Sequence, residues 1–168
     1  VDGLPKMRDV DWKIGEIAPG QPEAAAILRE YLDEVASRYY GRPATRAEVD
    51  EALADEPSDD LVPPTGAFLM AYRDGKPAGC VGVRMVEPGL SALTKVYIRP
   101  EHRGHGGGKL IVTAAEEAAK RLGSSRMRLD TRDDLVEARA LYASMGYTEV
   151  EAFNDDQYAE HWFSKNLS

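Results

Sequence analysis

The stretch Val96-Tyr97-Ile98-Arg99-Pro100-Glu101-His102-Arg103-Gly104-His105-Gly106-Gly107-Gly108-Lys109 narrows the folds open to this chain more than any other segment. Ser91 to Ile98, with β-branched Thr94, Val96 and Ile98, reads as a strand that Pro100 terminates. Lys109 to Leu122 reads as a helix, because Leu110, Ile111, Ala114, Ala115, Ala118 and Leu122 recur at helical spacing and Gly123 supplies a stop. A glycine-rich loop therefore passes from a strand into a helix. The first turn of a helix has backbone N–H groups without intrahelical partners, and its aligned peptide dipoles place positive potential there. Glycines let a ligand approach that backbone closely, and Arg103 and Lys109 add charge at the same point, with His105 beside them. Such a cradle suits a pyrophosphate better than a single carboxylate.

Two common phosphate-binding patterns fail on spacing. The nucleoside-triphosphate loop needs a glycine five residues before its Gly-Lys pair, where Arg103 stands, and a Ser or Thr after the lysine, where Leu110 stands. The dinucleotide fingerprint would need a glycine or alanine at Lys109, and belongs at a first βα turn rather than late in a chain.

Around this loop the chain reads as one domain over residues 1–168, without repeats or low-complexity tracts. Asp11 to Ile17 alternates as a first strand, Glu23 to Tyr40 has helical periodicity, and Thr45 with Glu48 forms a capping box for a second helix that Pro57 ends. Ala67 to Tyr72 and Ala78 to Val86 are strand-length apolar runs joined through Asp74-Gly75, a strong hairpin signal. Arg126 to Thr131 is a strand, Leu135 to Met145 an amphipathic helix closed by Gly146, and Thr148 to Phe153 and His161 to Leu167 supply the last strands. This order predicts a mixed α/β domain, a sheet of six to seven strands flanked by helices.

The net charge of −8 argues against nucleic acid as the main partner. Its distribution is uneven: Arg99 to Arg128 holds seven basic residues against three acidic, whereas residues 23–60 hold eleven acids against four arginines. A basic island in an acidic protein points to a locally bound anion. No apolar run approaches a membrane span, the charged stretch from Val1 to Ile14 lacks a signal-peptide core, and the lone Cys80 rules out an intrachain disulfide. A cytoplasmic protein is expected, with no membrane partner; a homodimer is left open. Three scattered histidines and one cysteine give no metal-ligand spacing, so no metal is expected. Cys80, inside a predicted strand, reads as core rather than nucleophile.

Arg103-Gly104-His105-Gly106-Gly107-Gly108 resembles the Arg/Gln-x-x-Gly-x-Gly/Ala signature of the GNAT superfamily of N-acetyltransferases. Val96-Tyr97-Ile98-Arg99-Pro100 looks like that family's central strand and following proline, and Ala138-Arg139-Ala140-Leu141-Tyr142-Ala143-Ser144-Met145-Gly146-Tyr147 is similar to its Ala-x-x-Leu-Tyr-x-x-x-Gly-Phe/Tyr segment. The element order agrees from about Asp11 to Leu167. The resemblance implies acetyl-CoA as co-substrate, lying in a V-shaped opening between the fourth and fifth strands. Its pyrophosphate would sit on the amides of Arg103, Gly104, His105, Gly106, Gly107 and Gly108 beside Lys109, and its pantetheine arm would pair with the backbone of Val96, Tyr97 and Ile98 like an added strand. It further implies that Tyr142 donates a proton to the departing CoA thiolate, although Tyr142 also lies on the apolar stripe of its helix. Leu135 departs from the asparagine often found three residues before the alanine of this helix, and Asp134 is the neighbour that would replace that contact.

The function expected is acetyl transfer from acetyl-CoA to a primary amine of a small molecule or peptide, by direct attack in a ternary complex. A non-catalytic acyl-CoA-binding sensor is the alternative. Glu87, Asp130, His161 and Tyr158 are candidates for a general base by location, a water-mediated route is equally open, and none is singled out. His102 and His105 read as solvated or phosphate-facing. The acceptor side, lined in this family by the first helices and the loop between the last strands, carries Asp33, Glu34, Glu48, Asp50, Glu51, Asp155, Asp156 and Glu160, which favours a cationic amine.

Overall fold

A computed structural model describes residues 12–168. Asp11 and the charged stretch ahead of it lie outside the described residues. The strands are β1 (Trp12–Glu16), β2 (Gly66–Arg73), β3 (Lys76–Glu87), β4 (Leu90–Ile98), β5 (Arg126–Thr131), β6 (Thr148–Val150) and β7 (His161–Asn166). The helices are α1 (Pro22–Tyr40), α2 (Arg46–Asp55), α3 (Gly107–Arg121) and α4 (Val136–Ser144). The seven strands form one sheet in the order β1-β2-β3-β4-β5-β7-β6. All neighbours are antiparallel except β4 and β5.

Local chemistry accounts for most of these elements. Pro22 occupies the first turn of α1, where its missing N–H costs nothing, and Gly41 closes the helix with φ +70°. Thr45 caps α2 as the sequence predicts, its hydroxyl accepting from Glu48 N–H while the Glu48 carboxylate accepts from Thr45 N–H. Asp74 and Gly75 both take positive φ, the two-residue turn whose twist matches a hairpin, so β3 begins earlier than the sequence suggests, at Lys76.

Apolar residues on the two faces of β2 explain why it reads as a continuous apolar run. Ala67, Leu69 and Ala71 pack with Ile111, Val112, Ala115 and Ala119 of α3, whereas Phe68 and Met70 pack with Ala24, Ile27 and Leu28 of α1 and with Cys80. The last strands differ from expectation: β6 is three residues long with every residue exposed, because beyond Val150 the chain leaves the sheet and returns only at His161.

Candidate active site

β4 and β5 run side by side only at Leu90–Arg126, Ser91–Met127 and Ala92–Arg128. From Leu93 onward β4 has no partner on β5, and the strands part into an open V. A bulge in β4 marks the separation: Cys80 faces Tyr97 and Gly82 faces Thr94, leaving Lys95 and Val96 opposite Val81 alone. Lys95 takes φ +58°, a conformation that costs a non-glycine residue roughly 1–2 kcal/mol. Its carbonyl accepts from the Cys80 thiol at 3.3 Å. Burial pushes that thiol well above its ordinary range, so Cys80 is an inert core residue. The Lys95 side chain is buried too, its ammonium 3.5 Å from Glu56, and desolvation lowers its pKa against the pull of that carboxylate. The sequence reading passed over Lys95; its signal was a charge inside an apolar strand.

The glycine loop lies at the C-terminal end of β4, after a single 3-10 turn at Pro100–His102. Gly106 caps α3 with φ +80°, so the helix starts at Gly107 rather than at Lys109. Among the described residues, none of the backbone N–H groups from Gly104 to Lys109 has a hydrogen-bond partner. Gly104 and Gly106 face open space where a Cβ would stand. Gly107 is different, because a Cβ there would lie 2.3 Å from the Trp12 ring, and Gly108 abuts Leu141 of α4. Trp12 also donates from Nε1 to the His105 carbonyl at 3.1 Å, so an indole 93 residues away braces the loop. Nothing in the loop's own sequence announces that brace.

The basic side chains of this region do not converge on the amides. Arg103 donates to the Ile98 carbonyl at 2.8 Å and pairs with both oxygens of Glu34. His105 is exposed, 3.3 Å from Arg73, and Lys109 is exposed. His102, expected on a solvated loop, is buried because the 3-10 turn tucks it inward. The Arg103–Glu34 pair belongs to a ladder along α1: Glu30 takes Arg99, Glu34 takes Arg103, and Arg38 reaches Asp134 and Glu137 beyond β5. Arg132, buried at the end of β5, grips Asp134 through two nitrogens and the Val35 carbonyl through the third. α1 thus ties one rim of the V to the other through partly exposed pairs that stabilise by up to about 1 kcal/mol each. Asp134 is engaged by these arginines, and Leu135 caps α4 without a side-chain bond.

Tyr142 unites the two readings offered for it. Its ring is buried, edge-on to Tyr147 at 5.9 Å and tilted to Phe163 at 6.1 Å, yet its hydroxyl has no hydrogen-bond partner among the described residues. Burial, followed by the Asp130 charge, holds that hydroxyl well above the usual tyrosine pKa. Tyr31 of α1 stacks edge-on against Tyr97 of β4 at 6.0 Å.

A match to the acetyltransferase (GNAT) family spans residues 29–147 and includes both the glycine loop and Tyr142. The chain belongs to this family. It is 36% identical over 129 residues to an uncharacterised N-acetyltransferase of Schizosaccharomyces pombe, covering 76% of each chain. An uncharacterised N-acetyltransferase of Escherichia coli is 28% identical over 137 residues, or 77% of each. Among solved structures, a GNAT acetyltransferase of Staphylococcus aureus superposes with a TM-score of 0.74 at 17% identity, covering 94% of this GNAT chain and 99% of that one. The PaiA N-acetyltransferase of Thermoplasma acidophilum, solved with coenzyme A, gives 0.70 at 18% identity over 92% and 98%. Among the described residues no three His, Cys, Asp or Glu side chains come together as a metal site, and no helix is long and apolar enough to cross a membrane.

Proposed function

We propose that this GNAT protein, as a single domain, transfers acetyl from acetyl-CoA to a primary amine by direct attack within a ternary complex. The parting of β4 from β5 after Ala92 carries the reading. It leaves the backbone edge of Val96, Tyr97 and Ile98 free of β5, in line with the unpaired amides of Gly104 to Lys109. An extended pantetheine chain bonded to that edge and a pyrophosphate on those amides would fit the two surfaces together. Arg103 would serve the pyrophosphate only by leaving Glu34, so in the free protein it positions α1. Tyr142, kept protonated by burial, would give its proton to the CoA sulfur as the carbon–sulfur bond breaks.

The acceptor is a cationic amine, though the support is narrower than the chain's overall acidity suggests. Glu34, Glu48 and Asp50 are paired with Arg103, Arg42 and Arg29, Asp33 accepts from Ser37, and Glu160 caps Asp133 N–H. Asp130, on β5 at the opening, has no ion-pair partner among the described residues. Calorimetry with acetyl-CoA, followed by CoA release with spermidine, tyramine, a lysine peptide and glutamate at low and high salt, tests the whole reading. Binding, turnover favouring the cations and a rate that falls with salt are expected. Binding without turnover on any amine would make the site an acyl-CoA sensor, and best rates with glutamate would refute the cationic acceptor.

A further inference from the structure

We propose that Asp130 is the catalytic residue that receives the acceptor's ammonium group and takes its proton, an assignment that rests on the acetyltransferase reading above. Asp130 stands two residues beyond Arg128, the last residue of β5 in register with β4, so it belongs to the part of the strand that borders the V. Met127, Leu129 and Thr131 are buried. By strand alternation Arg128 and Asp130 point to the other face, where α1 lies. Tyr142 packs in the cluster on the α3 face, so the two groups belong to opposite faces of the sheet, with Asp130 just past the point where β4 and β5 part.

The carboxylate is oriented by the loop between β6 and β7. Asn154 Oδ1 accepts from Trp162 Nε1 at 3.0 Å and from Asp156 N–H at 3.2 Å, which leaves its Nδ2 to donate to Asp130 Oδ2 at 3.0 Å. The other Asp130 oxygen has no partner among the described residues and is open to an ammonium. Arg128, the nearest cation on the same strand, stacks over Phe153 at 4.2 Å instead of pairing with Asp130. The other charged group that acts on it is Asp156 from the loop, and Asp130 in turn acts on the Tyr142 hydroxyl of α4. Although solvent reaches it, the surrounding protein desolvates Asp130 enough to hold its carboxyl above the usual range, with Asp156 adding to the rise and Asn154 and Arg128 opposing it. The same desolvation favours the neutral form of an incoming ammonium, so the two groups approach each other in proton affinity.

The other candidates lie elsewhere or are engaged, Tyr158 being exposed and edge-on to Tyr39 of α1 at 5.2 Å. Glu87 sits at the closed end, opposite Leu90. His161 holds Asp133 and Glu149 with its two nitrogens. Glu30, Glu34 and Asp134 are bound to arginines.

The step balances. Asp130 takes one proton from R–NH3+, and the freed lone pair forms the carbon–nitrogen bond while the carbon–sulfur bond breaks. The second proton, shed by nitrogen, balances the one Tyr142 gives to sulfur, and Asp130 returns its proton to water. The products are the amide, free CoA and one proton.

The test uses the amine among spermidine, tyramine and the lysine peptide that wild type acetylates fastest. Asp130→Asn is expected to lower kcat/KM about 100-fold or more and to erase the acid limb of its pH profile, with the acetyl-CoA Kd unchanged. Asn154→Ala, which removes a donor to the carboxylate, is expected to move that limb to higher pH. An Asp130→Asn enzyme within threefold of wild type, with its acid limb intact, overturns the assignment. An arm independent of turnover follows the Asp130 carboxyl by carbon-13 NMR: a titration above the ordinary value of about 3.9, rising further in Asn154→Ala, supports the role, and an ordinary value refutes it. Absence of acetylation with every amine would sink the acetyltransferase reading, whereas this arm judges Asp130 separately.

Discussion

Replacing Gly107 by alanine should unsettle the phosphate loop through a residue at the opposite end of the chain. Gly107 does not have positive φ, so its backbone would accept alanine; the obstacle is the Trp12 ring, with atoms 2.3, 2.6 and 3.0 Å from the new Cβ. Trp12 is 6% exposed and tethered to the His105 carbonyl, so it cannot swing aside without losing that bond. Overpacking of this kind costs about 1–3 kcal/mol, and the lost hydrogen bond about 1 kcal/mol more. Alanine's better helix propensity returns up to about 1 kcal/mol. A net loss near 1–3 kcal/mol lowers Tm by roughly 2–4 °C per kcal/mol at this chain length. Scanning calorimetry of Gly107→Ala, Trp12→Phe and the double variant reads the coupling directly. The shorter phenyl ring makes room for the methyl, so the double variant should be more stable than the two single losses predict, by about 1 kcal/mol or more. Gly106→Ala is the control, because its cost is the positive φ in open space and should be indifferent to Trp12. Simple additivity at Gly107, or a Gly107→Ala protein as stable as wild type, would refute the brace.

Gly106→Val should weaken acetyl-CoA binding at least tenfold by calorimetry, since the side chain fills the open space at the amides and strains the cap. Tyr142→Phe should lower kcat by about 10²-fold while the acetyl-CoA Kd stays nearly constant, because only the hydroxyl is lost; equal turnover would reduce Tyr142 to packing. His161 has its pKa raised by hydrogen bonds to Asp133 and then to Glu149, so its folded value lies above the unfolded value of about 6.5. The stabilisation is complete below the unfolded value and is lost as pH rises through the folded one. The Tm advantage of wild type over His161→Gln should accordingly shrink from neutral into alkaline pH, and a constant difference would show that the imidazolium contributes nothing.

What the sequence determined by itself was local. The Thr45 box, the Asp74-Gly75 turn, the glycine loop between strand and helix, and the periodicities of α1, α3 and α4 are short-range consequences of capping, allowed φ and burial, so neighbouring residues suffice to write them. The loop and the Tyr142 helix were legible for the same reason, and so was the family. Tertiary structure decided everything that depends on residues distant in sequence. Trp12 reaches Gly107, Glu34 claims Arg103, and Asn154 orients Asp130, and no spacing rule connects those pairs. The charge map shows the difference most clearly. A carboxylate looks free in a sequence until folding brings its arginine, and here folding gives Glu34, Glu48 and Asp50 each an arginine while Asp130 has no ion-pair partner among the described residues, because Arg128 beside it stacks over the Phe153 ring.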